Sequence, residues 1–61
     1  MNLSNIDKKI LRELQKDGRI TFSELAKRVG LSTSPCLERV RKMEREGIIE
    51  GYTTLLNPKF L

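Results

Sequence analysis

The sequence predicts a mainly α-helical domain, a bundle of three short helices followed by a short extended segment. Two observations predict this fold. Apolar side chains recur at helical spacing in three successive stretches, and a glycine follows each stretch, at Gly18, Gly30 and Gly47. A chain of 61 residues buries only about 60% of its unfolded surface, so we expect one small core.

The first helix is predicted at about residues 5–17. Ser4 precedes it and Asp7 follows three residues later, which is the capping-box spacing with Asp in place of the usual Glu. One apolar stripe at four-residue steps marks the buried face: Ile6, Ile10 and Leu14. Gly18 is expected to end the helix, because a helix C-terminus favours a residue that tolerates positive φ.

The second helix is predicted at about residues 22–29. Thr21 and Glu24 form a second capping-box spacing at its start, and Gly30 ends it. Four residues should form the buried face: Phe22, Leu25, Ala26 and Val29.

The third helix is predicted at about residues 33–46, ended by Gly47. Ser32 is the first choice for its N-cap. Ser34 is the alternative, since Pro35 would then occupy the first helical position, where its missing N–H costs nothing. Three residues at helical spacing should face the core: Cys36, Val40 and Met43.

Residues 48–56 are rich in β-branched and aromatic side chains and predict an extended segment, either a wing or an interdomain strand. Asn57 and Pro58 should end it. We therefore expect a domain over residues 1–56 and the start of a linker at residues 57–61.

Composition excludes several classes of function. The chain has no His and a single Cys, so His-ligated metal sites, imidazole catalysis and an internal disulfide are excluded, and we expect no enzyme. No apolar run approaches the about 18 residues that span a bilayer. The N-terminus lacks the pattern of a secretory signal, so the cytoplasm is the expected location.

The positive charge is concentrated in the middle of the chain. Lys and Arg number 12 against 8 Asp and Glu, a net charge of +4. Residues 27–45 hold six basic and two acidic residues, an excess equal to that of the whole chain. Many helices carry solvated basic faces, so this excess is informative only where the local structure presents it to a partner.

The predicted arrangement of the helices presents this positive charge to a partner. Two short helices joined by a tight turn at Gly30, the second of them basic, form a helix-turn-helix. Ala26 supplies the small residue that a close helix crossing needs. A projection of the third helix places four residues opposite its core face, with Lys42 and Pro35 on the flank: Ser34, Glu38, Arg41 and Arg45. Short polar residues near the N-terminus with cations further along match a helix in the DNA major groove.

The strings LQKDGRI, ELAKRVGLS, PCLERVR and GYTTLLNP resemble the DNA-binding domain of the Lrp/AsnC transcriptional regulators, from about Ile6 to Pro58. The resemblance implies a winged-helix-type domain with its helix-turn-helix at about residues 22–41. It also implies a cytoplasmic, nucleoid-associated bacterial or archaeal regulator that binds double-stranded DNA and no membrane. One residue departs from the general pattern. Arg39 stands at the eighteenth position of the motif, where an apolar residue is expected, and this leaves the rotation of the third helix open by one position.

Full-length members of this family continue past the Asn-Pro turn into an α/β domain that forms dimers or higher oligomers and commonly binds an amino acid. We therefore expect this chain to be a DNA-binding fragment, mainly monomeric, with no cofactor of its own.

The candidate DNA-binding residues lie on the second and third helices. Lys27 and Arg28 are expected at phosphates. Glu38 could read cytosine or pair with Lys42, and Arg39 could hold a phosphate or pair with an acidic residue of the fold. The full set is Lys27, Arg28, Ser32, Thr33, Ser34, Pro35, Glu38, Arg39, Arg41, Lys42 and Arg45. The alternative function is a winged-helix module that binds another protein, with its basic helix merely solvated.

Overall fold

A computed structural model describes residues 2–61 and contains three α-helices. They are α1 (Asn5–Lys16), α2 (Phe22–Val29) and α3 (Thr33–Arg45), followed by one turn of 3-10 helix at Pro58–Phe60. The predicted three-helix architecture is confirmed. Residues 2–61 contain no β-strand.

All three helices contribute to one core. Its buried apolar members are Ile10, Leu25, Ala26, Val29, Cys36, Val40 and Met43. Of the predicted buried face of α1, Ile6 and Leu14 are half-buried against this core. The prediction for Phe22 is wrong, because Phe22 remains 39% exposed. Phe22 is the first residue of α2, whereas the rest of the predicted α2 face (Leu25, Ala26 and Val29) is buried.

The start of α1 carries the predicted capping box. The Ser4 hydroxyl accepts a hydrogen bond from the Asp7 backbone N–H at 3.2 Å, and the Asp7 carboxylate accepts one from the Ser4 N–H at 3.0 Å. The predicted role of Gly18 is wrong: α1 ends at Lys16, and Gly18 does not adopt positive φ. The reason is that Asp17 is already extended, with φ −150°, and its carboxylate accepts from the Arg19 N–H at 3.0 Å.

The start of α2 forms only one of the two hydrogen bonds of its predicted capping box. Thr21 Oγ1 accepts from the Glu24 N–H at 3.1 Å. The Glu24 carboxylate accepts instead from Arg28 Nε at 3.2 Å, one turn further along α2.

The turn between α2 and α3 is a Schellman motif. Gly30 has φ +78°, and its N–H donates to the Lys27 carbonyl at 3.3 Å. The Leu31 N–H donates to the Ala26 carbonyl at 2.9 Å. These backbone bonds fix the direction in which the chain leaves α2 and enters α3.

We expect Gly30→Ala to lower the free energy of unfolding by about 1 kcal/mol, because a Cβ is disfavoured in the left-handed region. Chemical denaturation measures this directly. Gly51→Ala is the matched control, since Gly51 has no positive φ and open space around its Cα. An equal loss in both variants would contradict the explanation.

Of the two candidate N-caps of α3, the structure uses Ser32, which has φ −70° and ψ 160°. The Ser32 side chain makes no capping hydrogen bond. Pro35 lies in the first turn, where its missing N–H is tolerated. The C-terminal end follows the prediction within one residue, since Arg45 is the last helical residue and Gly47 adopts φ +77°.

The predicted extended segment at residues 48–56 forms neither a wing hairpin nor a paired strand. Ile48 and Ile49 pack half-buried against the core, and the Tyr52 hydroxyl donates to the Glu44 carboxylate at 2.8 Å. No second strand lies within residues 2–61, so the segment has no ladder partner. The large apolar side chains from Leu55 to the end of the chain stay exposed: Leu55, Leu56, Phe60 and Leu61.

Candidate nucleic-acid interface

The buried and the exposed residues of α3 lie on opposite faces of the helix. Cys36, Val40 and Met43 are fully buried, which confirms the predicted core face. The residues on the opposite side are exposed: Ser34, Glu38, Arg41 and Arg45. The rotation of α3 that the motif left open is therefore the one that the apolar spacing predicted.

Arg39 lies between these faces and binds Asp7 of α1. Its Nε donates to Asp7 Oδ1 at 2.8 Å, and its Nη2 donates to Asp7 Oδ2. The Asp7 carboxylate is fully buried, whereas the Arg39 side chain is one-third exposed. Of the two roles considered for Arg39, the structure supports the ion pair within the fold, and this pair joins α3 to α1.

The surroundings of Asp7 favour its charged form. Hydrogen bonds from Arg39 are the largest influence and, with those from Ser4, lower the pKa of the carboxyl from 3.8 to about 2, against the opposing effect of burial. Asp7 therefore caps α1 and anchors Arg39 as a carboxylate.

Acid should weaken the fold through Asp7. Its folded pKa lies below the unfolded value, so its contribution is complete above about pH 4 and is lost as the pH falls towards 2. We expect Asp7→Asn to lower the thermal midpoint near pH 6 and to have a much smaller effect near pH 2. Thermal melts of both chains across this range test the prediction, and a difference that does not change with pH would contradict it.

Sequence reasoning offered an ion pair within the fold as one role for Arg39, but it identified Asp7 only as a capping residue and did not name it as the partner. The signal was a charged residue, Arg39, in a position where helix-turn-helix motifs hold an apolar one. A cation directed towards a core needs a buried acceptor, and only the folded chain shows that the acceptor is 32 residues away.

The two basic residues of α2, Lys27 and Arg28, differ in their ion pairs. Arg28 binds Glu13 of α1 at 3.3 Å as well as Glu24, so it also links two helices. These carboxylates raise the pKa of Arg28. Lys27 is exposed and belongs to no ion pair of residues 2–61.

The outward side of α3 is polar along its length. Four exposed residues with short or compact side chains stand at its N-terminal end: Ser32, Thr33, Ser34 and Pro35. Arg41, Lys42 and Arg45 follow in later turns and are exposed. The local alternative for Glu38 is not adopted, because no ion pair joins it to Lys42 within residues 2–61.

No group of three or more potential metal-ligating His, Cys, Asp or Glu side chains occurs among residues 2–61. In the same residues, no helix has both the length and the apolar character needed to cross a membrane.

Helices α2 and α3, joined by the Gly30 turn and sealed against α1, define a helix-turn-helix nucleic-acid-binding module. Comparison with known proteins identifies the family. Residues 3–50 match the winged helix-turn-helix DNA-binding family, and the chain belongs to it.

Named relatives are Lrp and AsnC-type regulators. The chain is 67% identical over 60 residues to the leucine-responsive regulatory protein of Escherichia coli strain K12, covering 98% of this chain and 37% of that protein. It superposes with a TM-score of 0.93 on a transcriptional regulator from Neisseria meningitidis in complex with L-methionine, at 47% identity over 97% of this chain and 38% of the other. An AsnC family regulator from Agrobacterium tumefaciens gives a TM-score of 0.91 at 46% identity, covering 95% and 38%.

These comparisons confirm the resemblance to the DNA-binding domain of the Lrp/AsnC regulators. The chain spans less than two-fifths of the length of the leucine-responsive regulatory proteins it matches.

Proposed function

We propose that this chain is the DNA-reading part of a transcription regulator and recognises double-stranded DNA with α3 in the major groove. The observation that carries the proposal is the division of α3 into a fully buried apolar face and an exposed polar, cationic face. A helix fixed in this way can enter a groove without exposing its core residues.

The order of residues along α3 supports this orientation. In helix-turn-helix complexes the N-terminal residues of the second helix meet base edges, and flanking cations hold phosphates. Ser34 and Glu38 are then candidates for base contacts, since a carboxylate accepts a hydrogen bond from cytosine N4. The candidates for contacts to phosphates or to guanine bases are Arg41, Lys42 and Arg45.

The roles of the remaining residues follow from their surroundings. Lys27 is the α2 residue best placed for a phosphate, because the first helix of the motif crosses the DNA backbone. Arg28 is engaged by Glu24 through Nε and by Glu13 through Nη1, which leaves Nη2 for a phosphate. Arg39 acts by holding α3 on α1 through Asp7.

A salt titration of duplex binding tests the proposal. The probe is a fluorescent duplex of random sequence and about 20 base pairs, which offers about two helical turns. We expect the logarithm of affinity to fall linearly with the logarithm of salt concentration, with a slope of about −3 to −5 for three to five phosphate contacts. An affinity that does not respond to salt, or no binding at low salt, would reject the proposal and favour a protein-binding module.

Responses to small molecules belong to a separate proposal. The Neisseria meningitidis regulator was solved with L-methionine, and this chain matches 38% of that protein. We propose that these 61 residues bind DNA without a cofactor, as a monomer, and that amino-acid sensing and assembly into oligomers are properties of longer regulators. A regulator that acts on DNA in this way works in the cytoplasm.

A further inference from the structure

The exposed side of α1 forms a second cationic surface. We call it the α1 face; it consists of Asn5, Lys8, Lys9, Arg12, Gln15 and Lys16, all exposed. At 100° per residue these six positions fall within an arc of about 120°. Each carries an amide or a positive charge, so the face holds four cations and no carboxylate.

These cations are largely unengaged by the fold. Among the described residues, Lys8, Lys9 and Arg12 belong to no ion pair. Lys16 approaches Glu13 at 3.7 Å, while its side chain remains 71% exposed. Lys8 and Lys16 are separated by about 12 Å along the α1 axis, which corresponds to the axial rise of about three to four base-pair steps of a DNA duplex.

The α1 face and the outward face of α3 point in different directions. The opposite side of α1 carries Ile10 and Asp7, which face the same core as Cys36 and Val40 of α3. Each helix therefore directs its cations away from the shared core. DNA has a persistence length of about 150 base pairs, so a short duplex lying on α3 does not bend around to the α1 face.

We propose that the α1 face binds the phosphate backbone of a second DNA segment while α3 holds the first, so that one chain bridges two duplexes. The inference rests on the proposed function, in which α3 binds duplex DNA. Charge complementarity selects the partner, because a surface with four cations and no base-reading geometry suits a regular array of phosphates.

Bridging is tested with two short duplexes, one carrying a donor dye and the other an acceptor dye, mixed with the 61-residue chain at low salt. Fluorescence anisotropy measures the binding of one duplex, and energy transfer between the duplexes measures bridging. The test variant is Lys8→Gln/Arg12→Gln. The matched control is Arg19→Gln/Lys59→Gln, which removes two exposed cations that lie outside α1, α2 and α3.

We expect the native chain and the control to produce energy transfer. In the test variant, single-duplex binding should change by less than about twofold, whereas the bridging constant should fall about tenfold and its log–log salt slope by about 2. Binding of one duplex without energy transfer in the native chain would overturn the bridging inference alone. Absence of any duplex binding would overturn the proposed function as well. An equal loss of energy transfer in the test variant and the control would also reject a role for the α1 face. So would a test variant whose energy transfer equals that of the native chain.

Discussion

Arg39→Ala is expected to destabilise the fold more than removal of any exposed cation. The substitution leaves the Asp7 carboxylate buried, with Ser4 as its remaining partner. An uncompensated buried charge costs about 3 kcal/mol or more, a large part of the stability of a domain this small. Thermal denaturation followed by circular dichroism should show a midpoint lowered by more than about 10 °C.

A double-mutant cycle isolates the pair from other effects of the substitution. Asp7→Ala removes the carboxylate and half of the capping box, and the double variant removes both partners. Because the double variant has no buried charge, we expect it to be more stable than Arg39→Ala alone. Additive losses would show that the two side chains stabilise the fold independently.

Arg41→Glu/Arg45→Glu is expected to reduce affinity for duplex DNA by at least about 100-fold at low salt. Under the proposed function, two cations directed at the phosphates become anions that repel them. Neither arginine belongs to an ion pair within residues 2–61, so helicity and thermal stability should be nearly unchanged. Fluorescence anisotropy with a labelled duplex measures the affinity.

A control variant distinguishes direct contact between α3 and DNA from long-range electrostatic attraction. Arg19→Glu/Lys59→Glu changes the net charge by the same amount away from α3. We expect it to weaken binding only a few-fold through the long-range field. If both double variants lose affinity equally, α3 is not the contact surface.

Arg41→Ala distinguishes two kinds of contact. If Arg41 holds a phosphate, selection of duplexes from a random pool should return the same preferred sequences as the native chain, at lower affinity. If it reads a base, the preferred sequences should change at one position.

Local interactions made much of the fold predictable from sequence. The bounds of α2 coincide with the prediction, because a Thr21 cap and a Gly30 terminator act within a few residues of the helix ends. The buried face of α3 was also predictable, since Cys36, Val40 and Met43 share one side of a helix whatever its neighbours are.

Features that depend on distant or missing partners were not predictable. The acceptor for Arg39 lies on another helix, and no local pattern pairs Asp7 with it. The capping glutamate of α2 is taken by Arg28, which also binds Glu13 of α1. The segment after Gly47 has strand-like composition, but a strand requires a neighbour, and none lies within residues 2–61.

The division of α3 into two faces has a consequence for how such a regulator acquires new targets. Ser34, Glu38, Arg41 and Arg45 make no side-chain hydrogen bond or ion pair within residues 2–61, so the fold does not depend on bonds from these side chains. If α3 reads DNA as proposed, a lineage can therefore alter the preferred DNA sequence through these residues without first losing stability. Arg39 differs from these four residues, because its substitution would be selected against through folding before any effect on DNA preference.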